Sequence, residues 1–305
     1  MKIVNPLYDK AFKYLMENER LAKKVISVIL DEEIEELQLS QQETIVPDEK
    51  HQLTLFRLDF KAVITKPDGT RHKVLIELQK SKYETDIRRF RAYLGSNYLK
   101  TDIEKNTFGE DIKSSYPIIT IYILGYSIVD IPYMAITVNH SVVNSVNKEP
   151  VEIKSDFIEQ LNHRSHILQV RRLPEERKSR LEKFMVLFNQ AWCTEQRYII
   201  DLHDISEEFE EIAHHLQKPV MDEAFRLQLE GEEELDEIFD QQESKYLRQL
   251  EEAKQREEVE RKQKEAAQNK LKNIVLKQHH NGRGIHEIAD DLDLSIDEIR
   301  KIIEE

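Results

Sequence analysis

The sequence predicts an α/β domain followed by an all-helical, highly charged end. Three observations carry this reading. The apolar spacing changes from helical to alternating and back over residues 7–99, a continuous apolar run spans 118–124, and aromatic residues almost vanish beyond Gly231.

In chain order, residues 1–30 read as helix, because after Asn5-Pro6 the residues Leu7, Phe12, Leu15, Leu21, Val25 and Val28 recur at near-helical spacing. From Thr44 to Gln79 the period becomes that of strands. In LTLFRLDFKAVI, Leu58, Phe60, Ala62 and Ile64 share one face, and Arg57, Asp59 and Lys61 the other. Lys66-Pro-Asp-Gly-Thr70 is a turn signal, since proline presets one turn angle and glycine accepts positive φ. In RHKVLIELQK, Val74, Ile76 and Leu78 point inward while Lys73, Glu77 and Gln79 take the opposite face, so an antiparallel hairpin is the simplest arrangement. A helix over Glu84–Leu99 carries Arg88, Arg89 and Arg91. The run Ile118–Leu124 has the continuous apolar character of a buried strand, and a strand-like run follows at Met134–Val143.

Further helices are expected at Glu175–Ala191, behind Pro174, and at Ile205–Leu216. Residues 232–272 read as one solvated helix supported by i,i+4 charge pairs, and Leu235, Ile238, Leu247, Leu250 and Val259 keep no coiled-coil heptad. Two short amphipathic helices, IHEIADDL and IDEIRKII, close the chain, the second opened by a Ser295–Glu298 capping box. The expected domains are therefore 1–195, a helical connector 196–231, the charged helix 232–272 and a small helix-turn-helix-like unit 273–305.

Composition excludes several classes. The longest apolar stretch, Tyr116–Tyr126, is far short of the roughly 20 residues of a membrane span, so no membrane association is expected. The first residues lack the apolar run of a secretory signal, and Cys193 alone allows neither an internal disulfide nor a thiolate-paired zinc site, which together predict a cytoplasmic location. The net charge of −14 is unevenly distributed: residues 1–200 carry 29 acidic and 30 basic side chains, 201–305 carry 30 and 15. Only the front of the chain is therefore suited to a polyanionic partner.

The constellation with chemical content is Asp59, Glu77 and Gln79. Adjacent strands lie about 5 Å apart, so two carboxylates and a carboxamide on matching faces can converge, and hard cations such as Mg²⁺ take one or two carboxylates plus water and phosphate oxygens. A phosphodiester hydrolase is the reaction class that such a centre serves. Charged residues on a solvated strand face would give the same pattern. His163 and His166 lack an acidic or thiol partner in a motif and read as solvated or capping histidines rather than metal ligands.

The Asp59…Glu77-x-Gln79 signature, with NPLYDKAFKYLM upstream and IRRFRAYL downstream, resembles the PD-(D/E)XK nucleases, and most of all their recombination-promoting and transposase-like branch. The resemblance covers about residues 4–195 and also includes the charged C-terminal region. It implies a restriction-endonuclease-like core with a mixed central sheet flanked by helices. It implies Asp59 and Glu77 as ligands of Mg²⁺, for which Mn²⁺ substitutes, and Gln79 where most of the superfamily has lysine. Asp9 matches the acidic position of the first helix, with Glu17 and Glu19 as rivals. Lys61 is a candidate source of the missing ammonium, Arg88 and Arg91 of phosphate contacts, and Pro47-Asp48 is a decoy ahead of the strands.

The function so implied is a Mg²⁺-dependent DNA endonuclease of low sequence specificity, linked to recombination or mobile elements. The alternative is a non-catalytic protein with a degenerate nuclease core. The partners expected are DNA, a protein bound through the C-terminal helices, and a second copy of the chain. The last helix, with two basic and four acidic residues in SIDEIRKIIEE, is poorly suited to reading DNA.

Overall fold

The computed structural model describes residues 1–39, 43–46, 54–57, 60–80, 86–105, 110–153, 155–161 and 163–304. It divides into two units, Met1–Ile238 and Phe239–Glu305. Asp59 and the Pro47-Asp48 pair lie outside the described residues, as do the side chains of Arg88 and Arg89.

The first unit runs β1 (Lys2–Val4), α1 (Asp9–Met16), α2 (Glu19–Leu30), β2 (Glu36–Leu39), β3 (Glu43–Val46), β4 (Thr54–Arg57), β5 (Phe60–Thr65), β6 (Arg71–Gln79), α3 (Asp86–Leu99), β7 (Asp102–Lys105), β8 (Asp111–Ser114), β9 (Ile118–Leu124) and β10 (Ala135–Val138). It continues with α4 (Asp156–Leu161), β11 (His163–Gln169), α5 (Arg180–Met185), β12 (Ile199–Asp201), α6 (Glu210–Gln217) and the start of α7 (Glu223–His280). Six strands form one mixed sheet in the order β10-β11-β9-β6-β5-β2, with β11, β9 and β6 parallel and the remaining pairings antiparallel. The chain is thus α/β with a mixed sheet and flanking helices.

The β5–β6 hairpin forms as its sequence predicts: Gly69 takes φ +81°, and Lys66 N–H donates to the Thr70 carbonyl across the turn at 2.9 Å. One face of the sheet, carrying Phe60, Ala62, Ile64, Val74, Ile76, Leu78, Ile119, Ile121 and Ile123, joins α1 and α2 in a single apolar core. Phe12 of α1 meets Phe60 edge-on with ring centres 6.4 Å apart.

The expected helix over 1–30 is instead a strand and two helices. Asn18 interrupts it by capping α2, its side-chain oxygen accepting from Leu21 N–H, and β1 pairs with β12 nearly 200 residues later. That pairing corrects the reading of 196–231 as a connector: Tyr198, Ile199, Ile200, Phe209, Ile212 and Leu216 belong to the main core. The helix expected over Glu175–Ala191 shortens to α5, opened by a Ser179–Glu182 capping box and followed by 3₁₀ turns. Strand β11 was not expected, because HRSHILQ offers no apolar alternation; it is held from both sides by β9 and β10.

The second unit holds the remainder of α7 with α8 (Ile285–Leu292) and α9 (Ile296–Glu304). Val275, Ile288, Ala289 and Ile299 form its core, and the Ser295–Glu298 box is present, with Glu298 N–H donating to Ser295 Oγ at 3.3 Å. Among the described residues no helix is long and apolar enough to cross a membrane.

Candidate active site under helix α3

Strand alternation sends Lys73, Leu75, Glu77 and Gln79 to the side of β6 that faces away from the apolar core. Register places Lys61 opposite Leu75 on the β5 side, and Thr120, Tyr122 and Leu124 opposite Leu75, Glu77 and Gln79 on the β9 side. This side is not solvated. Helix α3 covers it with Phe90, Tyr93 and Asn97, which recur at helical spacing; Tyr93 packs with Leu75 and Ile118, and the Phe90 and Tyr122 rings lie 4.3 Å apart. Glu77 and Lys73 are each only 1% exposed. The sequence pattern assigned the polar residues to the right face and missed the lid over them.

Each buried polar group has a distinct setting. Lys73 pairs with Asp102 of β7 at 2.9 Å. Burial and the Glu77 charge both push the Tyr122 phenol above its ordinary range. The Gln79 side-chain oxygen accepts from Tyr126 Oη at 2.9 Å. Lys61 is half-buried, and burial, with Lys73 and Lys100 adding repulsion that Asp102 partly offsets, brings its pKa down to about 8. By register Lys61 is a diagonal neighbour of both Glu77 and Lys73, on a sheet where such neighbours stand about 7–8 Å apart.

The other expected site residues fall in different places. Asp9 opens α1, and its carboxylate bonds Lys13 Nζ at 2.6 Å. Its backbone N–H donates to Glu232 Oε1 at 2.8 Å, and the same oxygen takes the ammonium of Lys80 at 2.8 Å, so the start of α1 and the end of β6 share one carboxylate. Lys80 also stacks on the Tyr8 ring and pairs with Asp236, which turns it away from Glu77. Glu17 and Glu19 are exposed at the junction of α1 and α2. Arg91 is exposed on α3.

His163 and His166, three apart on a strand, take opposite faces: His163 meets Tyr98 Oη at 3.0 Å and His166 meets Thr137 Oγ1 at 3.2 Å. They form no metal pair. Glu77 on this covered face is a carboxylate, the donor type that hard, oxygen-seeking cations take. Among the described residues no group of three His, Cys, Asp or Glu side chains could hold a metal.

Sequence reasoning placed Lys73 on this face without a role and passed over Asp102, Tyr122 and Tyr126. Only Tyr126 leaves a signal, the Gly125-Tyr126 pair directly after a buried strand. Comparison of the chain with family models, curated proteins and solved structures finds no match in any of the three.

Proposed function

We propose that the chain is a Mg²⁺-dependent DNA endonuclease whose centre is built on Asp59 and Glu77, with Gln79 and Lys61 completing it. The observation that supports this reading is the burial of Glu77 in the middle of a mixed sheet, with Gln79 on the same face two residues on. A carboxylate withdrawn from water carries a desolvation cost that an apolar residue would avoid, so its place there calls for a chemical role. The cation, when bound, supplies charge stabilisation for the phosphodiester and lowers the pKa of a water.

The protein's own groups then have separable tasks. Glu77 and Asp59 bind the cation. Lys61, with its pKa near 8, can exchange a proton close to neutral pH from a position diagonal to Glu77. Arg91, exposed on α3, and Arg88 are assigned to phosphate oxygens. The acidic residues 201–305 take no part in DNA contact, and the helix-turn-helix-like end is assigned to a protein partner. A link to recombination or mobile elements rests on the sequence resemblance alone.

Plasmid cleavage in Mg²⁺ or Mn²⁺ against EDTA tests the reading. Asp59→Ala and Glu77→Ala should each lose at least about 10³-fold while keeping the wild-type circular dichroism, because removing a ligand removes the cation's chemistry with it. Lys61→Ala should lose about 10²-fold. Robust metal-dependent cleavage by both carboxylate variants, free of contaminating nuclease, would falsify the assignment. A wild-type chain inert in both metals points to the non-catalytic alternative.

A further inference from the structure

We propose that Tyr126 is a positioning residue that fixes the Gln79 carboxamide as a hydrogen-bond donor on the sheet face under α3. The inference deepens the nuclease reading and rests on it. A carboxamide has two unlike ends: an oxygen that accepts or ligates a cation, and an NH₂ that only donates. The ends are nearly equal in size, so an unanchored glutamine can present either. At Gln79 the oxygen is the end engaged: the Tyr126 hydroxyl donates to Oε1 at 2.9 Å. Gln79 Nε2 makes no hydrogen bond among the described residues.

The backbone around this bond is built to hold it. Gly125 N–H donates to the Gln79 carbonyl at 2.7 Å, extending the β6–β9 ladder by one step beyond Leu124. A Cβ on Gly125 would stand 2.7 Å from the Lys80 carbonyl oxygen and 3.2 Å from Leu7 Cδ1, so the close approach of the two strand ends requires glycine here. Arg171 Nε donates to the Gly125 carbonyl at 2.8 Å and closes the far side. Strand β9 thus delivers Tyr126 to Gln79 through a residue that cannot be enlarged.

The consequence is chemical. A lysine at position 79 would offer the cleft an ammonium, a donor with no acceptor end. Gln79 anchored through its oxygen offers the same polarity without the charge, to the attacking water or to a non-bridging phosphate oxygen. Freed from Tyr126, the amide could turn its oxygen inward and act as a cation ligand instead.

Tyr126→Phe removes the donor and keeps the ring. In the full chain it should lower kcat about 10-fold, the worth of one hydrogen bond, with the KM for DNA unchanged. In a Gln79→Lys background the same substitution should change kcat less than about twofold, because an ammonium has no end to orient. An equal loss in both backgrounds would mean that Tyr126 acts through the fold, and overturns the proposal. A second readout needs no activity. The Gln79 side-chain amide resonance, identified by its loss in Gln79→Glu, should shift in Tyr126→Phe while the backbone spectrum beyond the cleft stays in place. If the wild-type chain fails to cut DNA, the nuclease reading falls, and the amide resonance alone decides the anchoring of Gln79: an unmoved resonance overturns it.

Discussion

The two faces of the central sheet are made by the same strands and buried to nearly the same degree, yet they are chemically opposite. Toward α1 and α2, β5, β6 and β9 present Phe60, Ala62, Ile64, Val74, Ile76, Ile119, Ile121 and Ile123, all within one apolar core. Toward α3 the alternate positions include Lys73, Glu77, Gln79 and Thr120, all buried, with the half-buried Lys61. The first face repays the entropy of ordering the chain by removing apolar surface from water. The second gains little in that way and must satisfy its polar groups one by one. The contrast shows that a period-two pattern marks which residues share a face and is silent on whether water reaches it.

The comparison breaks most sharply at Lys73. Its side chain is 2% exposed and Asp102 is its partner at 2.9 Å, so Asp102→Ala should cost about 3–5 kcal/mol by leaving a buried charge uncompensated. Replacing both, as in Lys73→Leu with Asp102→Leu, should recover most of that loss, because the pair itself adds little over a packed apolar contact. Urea unfolding of the two variants checks it. A single variant as stable as wild type would show that the polar face tolerates an orphan charge.

Much of this was legible before any coordinates. The hairpin and its Gly69 turn, the limits of β9 and the facing of Glu77 and Gln79 follow from short-range rules, since alternation and turn chemistry act within a few residues. What stayed hidden is long-range. Nothing local to Lys2–Val4 announces a partner at Ile199–Asp201, and nothing local to HRSHILQ reveals a strand whose pairing is imposed by neighbours on both sides. The lid was hidden for the same reason: Phe90, Tyr93 and Asn97 share a stripe of α3 in the sequence, but which sheet face the stripe covers depends on the whole chain path. Asp59, central to the expected site, lies outside the described residues.

The next contrast lies within a single strand. Ile121 and Thr120 are neighbours on β9, both fully buried, one on each face. Ile121→Ala should cost about 2–5 kcal/mol through lost burial and the cavity left in the main core. Thr120→Val keeps the shape and removes a hydroxyl bonded to Ser165 Oγ at 2.8 Å, so it should cost about 1 kcal/mol. Thermal or urea unfolding of both gives the ratio. Equal losses would erase the distinction between an apolar face that stabilises and a polar face that is merely satisfied.

The last contrast concerns pH, at the end of the apolar face where β6, β9 and β11 begin. His72 and His166 sit there beside Arg164, and burial with the nearby cationic charge brings each pKa down to about 4. Because the unfolded chain binds these protons near pH 6.5, their neutral forms favour the fold fully above that pH, and stability falls as pH drops from about 6.5 to 4. Glu32, bonded to Arg164 at 2.7 Å and Lys66 at 2.8 Å, is held down to about 2 against the cost of its own burial; its contribution is complete above the ordinary carboxylate range and is lost as pH falls toward 2. Acid unfolding should therefore proceed in two stages, histidines first. His72→Gln with His166→Gln should flatten the upper stage and leave the lower, and Glu32→Gln should do the reverse. Partial solvent access at His72 and Glu32 screens their share of both stages. Stability that stays level from pH 7 to 4.5 in the wild-type chain, measured by urea unfolding, would show that these histidines are protonated in the fold at no cost.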